Sequence, residues 1–411
     1  MKTFLSIIFC LFLNLSLLHS GETEERANIG KYGIELLQKG DYKTLSNIAK
    51  KYRETEERTS SGRWKLSLLY SEIFYSIDMV VKDKYNNNWD ALEEDLLSWT
   101  KSNPNDPTFH IIYASFLTSK AWMYRSERSA KNVLKENWEP FHKEVSKAIE
   151  YLNKHKSVAS QDPHWYVCML DLAKLDSWDK ISFYAFLDEA INKYPNYYSI
   201  YISALYFLDP KWNGYTKEEI EHIGEKILNA TKDKDGAYAR YYWIAKDVLF
   251  RREPISTLNI DWKVMDKSME RLIEKYPTQY NINGLAYLSC KFNQKKTTQV
   301  FINKIKGDFI PEIWKTKENF NACNNLSHDT QKVSITTVAP DELINYIKNY
   351  KKDKLLYIYF SSYKEDDVLK DVHKIERIAN EYKNTVDFLS VNLYPNKHFA
   401  YPYLYKKFYL K

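Results

Sequence analysis

The chain has 411 residues, 44% of them hydrophobic and 28% charged, and 60 lysines and arginines against 54 acids give a net charge of +6. That length allows roughly two to three domains. The bases interleave with acids, as in Lys143-Glu144 and Lys217-Glu218-Glu219, which is the pattern of solvated helix faces and argues against a phosphate-tracking nucleic-acid surface. The closest pair among its 10 glycines, Gly30 and Gly33, lies at the start of a helix, so there is no clustered loop to cradle phosphates.

The first 20 residues stand apart. Lys2 supplies a positive start, Phe4 to Leu18 is apolar except for Ser6, Asn14 and Ser16, and Ser20-Gly21 offers a small-residue cleavage point before Glu22, Glu24 and Glu25. This reads as a secretory signal peptide, too short for a membrane span, so the protein is expected to be exported, periplasmic or secreted. An uncleaved anchor is the alternative. No second stretch approaches the length of a span, so no membrane span is expected after cleavage. Cleavage leaves Cys168, Cys290 and Cys323. An oxidising compartment allows one disulfide, Cys290 with Cys323, leaving Cys168 over. The competing reading is the stronger one: Cys168 and Cys290 sit among apolar helix residues, where free cysteine behaves as a small hydrophobe.

Residues 24–57 read as two helices joined at Gly40-Asp41, and Ser60-Ser61-Gly62 breaks the pattern. Trp64 to Phe74 is apolar and helical, Asn86 to Asn88 is a loop, and Trp89 to Lys101 is a further helix. Asn103-Pro104-Asn105-Asp106-Pro107 is the clearest breaker of the first half. A helix from Phe109 to Lys120 ends near the basic turn Tyr124-Arg125-Ser126-Glu127-Arg128, and Trp138 to His155 is amphipathic. From Gln161 to Gly214 the chain reads as a helical hairpin followed by the first helix of the next. Trp165, Tyr166, Met169, Leu170 and Ala173, then Phe183, Phe186, Leu187, Ala190 and Ile191, recur at spacings of three and four. Pro163 and Pro195 mark the joints, since proline starts a helix and stops the one before it. They lie 32 residues apart (195 − 163), near the roughly 34-residue tetratricopeptide period. The seam phrase returns at Tyr276-Pro277. Ala190 falls at the usual small position of a second helix, whereas the bulky Asp171 stands where a small residue is wanted in the first. Thr216 with Glu219 makes a capping box for a helix over 217–231. Asp233 to Gly236 turns the chain into a very aromatic helix over 237–250. Helices from Asp261 to Tyr276, Asn281 to Phe292 and Thr297 to Ile305 follow, and Pro311-Glu312-Ile313-Trp314 with Phe320 closes the array.

Several of these phrases occur in one order: Arg63-Trp64-Lys65, Trp99 before Pro104, Ala121-Trp122, Asp162-Pro163 with Trp165-Tyr166, Pro195 with Tyr198, Leu208 with Pro210 and Trp212-Asn213-Gly214. With Asp235-Gly236-Ala237-Tyr238-Ala239-Arg240 and Pro311-Glu312-Ile313-Trp314, this order resembles a bacterial tetratricopeptide-like helical family classed as a domain of unknown function, over about residues 30–325. The resemblance implies a fold and supplies no activity. Met123-Tyr124-Arg125-Ser126 departs from the Gly-rich turn frequent in that family.

After Asn324 the texture changes. Val333 to Val338, a buried strand over 355–360 and Val386 to Leu393 alternate with helices over Asp341 to Tyr350 and Asp366 to Tyr382, which implies a small α/β unit. It resembles a thioredoxin-like fold, with Ser361 to Asp367 where that family carries Cys-x-x-Cys and Pro402 in the place of its cis-proline. No cysteine follows Cys323, so the resemblance implies no redox chemistry there. The expected organisation is a signal peptide over 1–20, a mainly α tetratricopeptide-like solenoid over 21–325, a linker over 326–334 and a thioredoxin-like α/β domain over 335–411.

No histidines pair at helical metal-binding spacing, and no Gly-x-Ser-x-Gly elbow occurs. Glu365-Asp366-Asp367 reads as a helix start rather than a metal cluster, and Lys232-Asp233-Lys234-Asp235-Gly236 as a turn rather than a calcium loop. No cofactor or metal and no catalytic set is expected. The aromatics stand out: 34 Tyr, 19 Phe and 11 Trp. Most belong to the core of stacked helix pairs, but the clusters at 197–201 and 238–242 exceed what one helix face needs, and tyrosine is enriched at recognition surfaces. Tyr197, Tyr201, Trp212, Tyr238 and Tyr242 are therefore the candidate binding residues. The leading expectation is a non-catalytic scaffold for a protein or peptide. The alternatives are glycan or cell-wall binding through the same aromatics, and an enzyme in the C-terminal unit.

Overall fold

The computed structural model describes residues 2–126, 130–250, 255–307, 309–328, 336–338, 342–350, 354–361 and 386–392. The chain is mainly helical, with a small parallel sheet toward its C-terminus. It divides into two compact units, Met1–Tyr241 with Glu270–Thr278, and Tyr242–Met269 with Gln279–Lys411. The division thus falls within the helical array, not at the change of texture near residue 325. Among the described residues no helix is long and apolar enough to cross a membrane.

The first unit opens with α1 (Lys2–Lys39), α2 (Tyr42–Thr55), α3 (Lys65–Tyr85) and α4 (Trp89–Ser102). Asp41 caps α2 by accepting the Thr44 N–H at 3.2 Å, and Asn88 caps α4 through the Ala91 N–H. The 103–107 breaker places Asp106 as N-cap and Pro107 as first residue of α5 (Pro107–Arg125), which is buried almost all round. There follow α6 (Lys135–Lys154), α7 (Lys156–Ala159), α8 (His164–Leu175), α9 (Lys180–Lys193), α10 (Ser199–Phe207) and α11 (Lys217–Thr231), the last opening on the Thr216–Glu219 capping box. Next come α12 (Ala237–Val248) and α13 (Trp262–Lys275), which pass through the division between the units. Side by side, α1 packs on α3, α3 on α5, α5 on α8 and α8 on α10, while α4, α6 and α9 lie against this row. Gly30 and Gly33 let α1 come close to α3: a Cβ would fall 2.1 Å from Glu72 Cγ at Gly30 and 2.4 Å from Leu69 Cδ1 at Gly33. That pair is a packing device.

The α2 helix and residues 56–64 run as a strap along the N-terminal ends of the later helices. Ser46 donates to the Asp106 carboxylate at the start of α5. Arg53 Nη1 reaches Asp162 Oδ2 before α8 at 2.7 Å, and Trp64 Nε1 donates to the Asn196 carbonyl before α10 at 2.6 Å. Arg58 stacks on Trp64, 4.5 Å from its ring centre, and lies 3.9 Å from Asp235, which precedes α12. Arg240 of α12 donates to the Ser61 carbonyl at 2.7 Å. Gly62 closes the strap at φ +89°, with the Tyr276 ring 2.6 Å from where a Cβ would stand. Asp162 is fully buried and also accepts the Tyr70 hydroxyl at 2.8 Å and the His164 N–H at 2.9 Å. A buried carboxylate is tolerated only when its lone pairs are filled in this way. Glu22, just after the apolar N-terminal stretch, locks α1 to the same strap by accepting from Arg26, Ser60 and Ser61. Burial alone would raise its pKa, but Arg26 and those donors outweigh it and hold the carboxyl at about 2.

The second unit contains α14 (Gln279–Lys291), α15 (Lys295–Ile302), α16 (Pro311–Trp314) and α17 (Lys317–His328), with α14 and α17 both packed on α15. Cys290 of α14 and Cys323 of α17 form a disulfide with Cα atoms 5.7 Å apart. The small-hydrophobe reading therefore holds for Cys168, which is buried and free, and gives way at Cys290. Because α17 continues to His328, helix covers the first residues of the expected linker. Beyond it lie β1 (Thr336–Val338), α18 (Leu343–Asn349), β2 (Leu355–Ser361) and β3 (Val386–Asn392), with β3 central and all three strands parallel. Leu343, Leu389 and Val391 form their core with Ile347, Leu356 and Ile358 packed against it. Among the described residues β2 is an edge strand and not the buried one expected. Alternate side chains point to opposite faces, and Leu355 and Tyr357 stand exposed, as does Phe360. The expected helix over 366–382, the acidic run 365–367 and Pro402 lie outside the described residues, as does most of the segment 361–367.

Candidate functional site

Four of the five expected binding residues are not on a surface. Tyr197, Tyr201, Tyr238 and Tyr242 are all buried. Tyr197 packs edge-on against Trp64 at 5.0 Å and its hydroxyl meets His164 Nδ1 at 2.9 Å. The Tyr201 hydroxyl donates to the Pro195 carbonyl at 2.6 Å, and Tyr238 donates its backbone N–H to Asp233. For Tyr197 the reason is geometric: it stands just before α10, where Trp64 of the strap covers what would otherwise be an open face. Asp233 and Asp235 of the expected turn are likewise engaged, the first by Arg271 at 3.0 Å and the second by the Tyr198 hydroxyl.

Trp212 differs. It stays partly open in the loop after α10, and a set of aromatic and cationic side chains gathers around it. The α5 C-terminus brings Trp122 edge-on to Trp212 at 6.2 Å, and Arg125 with its guanidinium 4.8 Å from the Trp122 ring centre and 5.5 Å from that of Trp212. Trp138 of α6 covers the same guanidinium at 5.6 Å. From the last turn of α8, Lys174 places its ammonium 5.5 Å from the Trp212 ring and 5.6 Å from that of Tyr206 on α10. Cations belong at helix C-termini, where the carbonyl ends of the dipole are negative, and each is also held over π faces. The basic turn at 124–128 expected from sequence thus contributes a buried Arg125.

The patch continues onto α3. Tyr75 is 72% exposed, yet burial raises its phenol pKa, and the Tyr206 phenol and the Asp171 and Glu72 carboxylates raise it further. Asp171 of α8 behaves alike. Its side chain is 39% exposed, yet burial pushes its carboxyl pKa upward against the opposing effects of Lys174 and Ser203. Met79, Met123 and Tyr206 add open apolar surface. The site therefore draws on the C-terminal ends of α5, α8 and α10, on Trp138 near the start of α6 and on Tyr75 at the middle of α3. Sequence reasoning named Trp212 and noted Asp171 as a misfit in its repeat, and it missed Tyr75, Trp122, Arg125, Lys174 and Tyr206 as parts of a site. Helical spacing alone marks Glu72, Tyr75 and Met79 as one face (i, i+3, i+7).

A shallow depression of about 570 Å³ on α1 and α2 includes Glu24, Glu25, Tyr32 and Tyr52, but its Glu25 is already held by Lys65 at 3.4 Å and by the Ser60 N–H. Among the described residues no cluster of His, Cys, Asp and Glu is placed to hold a metal ion. No protein-family model matches the chain, and neither does any curated protein or solved structure.

Proposed function

We propose that this protein is an exported, non-catalytic scaffold that binds a protein or peptide segment on the face lined by Tyr75, Tyr206, Trp212 and Trp122. The observation that carries this reading is the cluster of partly open aromatic side chains around Trp212, where Trp122, Trp138 and Tyr206 share the cations Arg125 and Lys174, with exposed Tyr75 on α3. Apolar area of that kind, backed by cations and rimmed by polar groups, is characteristic of recognition surfaces. The side-by-side row of first helices supports a tetratricopeptide-like arrangement, and the parallel strands joined through α18 support a thioredoxin-like reading of residues 335–411. Export is supported by the apolar first 20 residues and by the Cys290–Cys323 disulfide, since such bridges persist in oxidising compartments.

The test is in-cell photo-crosslinking from position 206 of the tagged full chain, followed by mass spectrometry. A protein or peptide adduct that disappears in the Tyr75→Ala variant supports the reading. Adducts of cell-wall sugar alone, with half-open indoles as stacking platforms, move the assignment to glycan binding. N-terminal sequencing of protein recovered outside the cytoplasm should begin at Gly21; an intact Met1 in that fraction rejects the cleaved signal.

A further inference from the structure

We propose that the joint between α6 and α7 is an acid-sensitive hinge, in which protonation of the stacked His110 and His155 rings parts α7 from α5 while the neighbouring helices keep their packing. The hinge is independent of the peptide-binding reading. Three observations carry it.

The first is a pair of hydrogen bonds that suits the neutral ring. His110 of α5 is buried, with Nε2 3.3 Å from the Pro104 carbonyl and Nδ1 2.8 Å from the Tyr151 hydroxyl. A carbonyl only accepts, so Nε2 carries the proton and Nδ1 accepts from the phenol. A proton added at Nδ1 meets that donor and forces it to turn away.

The second is the stack itself. His155 closes α6 and opens α7, and its carbonyl accepts the N–H groups of Val158 and Ala159. Its ring centre lies 4.5 Å from that of His110, with the planes 25° from parallel, and 4.5 Å from the Tyr151 ring. Two neutral imidazoles stack well there, whereas two imidazolium ions repel. His155 is half-exposed, so the first proton arrives on it. Burial holds both rings below the ordinary imidazole value of 6.5, and at His155 the charges of His110 and Lys154 push the same way.

The third is the charge around the pair. Asp106, before α5, is the acid that acts on His110, and it already accepts from Ser46 and the Thr108 N–H and feels Arg53 of α2. The other neighbours offer no counter-charge. On α5 and α6 the Tyr113 and Tyr151 rings meet edge-on, α4 contributes Thr100 to the Tyr151 hydroxyl, and Trp165 of α8 donates to the Leu152 carbonyl. Lys156 of α7 is paired with Glu189 of α9 at 3.0 Å. Among the described residues no second carboxylate acts on either ring, so a second proton stays uncompensated. Beyond α7 the Ser160 carbonyl accepts from Lys193 and from the Tyr194 hydroxyl of α9, a clasp that holds the far side of the hinge.

The experiment is hydrogen exchange of the full chain, peptide by peptide, at pH 7 and pH 5, corrected for the intrinsic pH dependence of exchange. Residues 153–161 should exchange at least about tenfold faster at pH 5, while α5 and α8 stay protected. His155→Phe keeps a ring in the stack and removes one proton site. It should abolish that gain and raise the titration midpoint of His110 in spectra of histidine-labelled protein, since each proton hinders the other. No gain over 153–161, a gain that survives in His155→Phe, or one spread evenly over α5 and α8 overturns the hinge. Where that variant fails to fold, the wild-type spectra decide: two separate steps below 6.5 for the pair support the hinge, and both rings titrating together at 6.5 reject it.

Discussion

At the N-terminal ends of α5, α8 and α12 stand Asp106, Asp162 and Asp235, and at the C-terminal ends of α5 and α8 stand Arg125 and Lys174. Both sets obey the same dipole preference, acids at helix starts and cations at helix ends, and both edges are rich in aromatics. Their fates differ because only the first edge is covered. The strap brings Ser46, Arg53 and Arg58 to the acids in turn, and the seam tyrosines disappear beneath it. At the other edge the cations lie under indoles and phenols, while Tyr75, Met79, Met123 and Tyr206 stay open. Aromatic abundance alone does not mark a binding surface. What marks it is abundance that no other segment of the chain consumes.

The sharpest way to break this contrast is at the strap. Arg53→Met leaves the Asp162 carboxylate buried without its cation and should cost about 3–5 kcal/mol in urea unfolding. A loss under about 1 kcal/mol would mean that Tyr70 and the His164 N–H suffice. Gly62→Ala should follow at about 1–3 kcal/mol, combining a left-handed φ with a contact on the Tyr276 ring; a stability equal to wild type would show that the strap yields there.

Acid is the third probe of the covered edge. Burial lowers the His164 pKa from 6.5 to about 3, so the folded state holds it neutral while an unfolded chain protonates it. The unfolded state binds the extra proton between those values, so stability is present above pH 6.5 and is lost as pH falls toward 3, by up to about 2 kcal/mol at pH 5. Burial lowers the pKa of His110 as well, which steepens the same slope. A stability flat between pH 7 and pH 5 would contradict the burial of both.

Most of the local grammar was legible in the sequence. The capping box at Thr216 and Glu219, the breaker before Pro107, the seam at Pro163 and the Cys290–Cys323 option all depend on residues near one another or on composition. The strap was not legible, since Ser46 with Asp106, Arg53 with Asp162 and Arg58 with Asp235 are distant pairs with no periodic trace. That one gap misplaced the binding residues. Tyr197 exceeds one helix face because Trp64 packs on it from one side and His164 meets it from another, and Tyr238 is buried as well, whereas Trp212 keeps an open side. Tyr75 and Tyr206 look like ordinary helix-face residues until α3, α8 and α10 are brought together.

The smallest expected effect on stability is therefore the most informative about function. Tyr75 is largely solvent-exposed and Tyr206 more than a third so, and surface truncations away from caps and buried networks change stability by no more than about 0.5 kcal/mol. Tyr75→Ala and Tyr206→Ala should leave the urea midpoint in place while abolishing capture of the partner, because open aromatic anchors carry binding energy out of proportion to their number. Buried Tyr197 is the matched control. Tyr197→Ala should lower the midpoint strongly and affect capture only in proportion to the unfolded fraction. If instead Tyr75→Ala lowers stability as much as Tyr197→Ala does, the second edge is as fully packed as the first, and the distinction between them disappears.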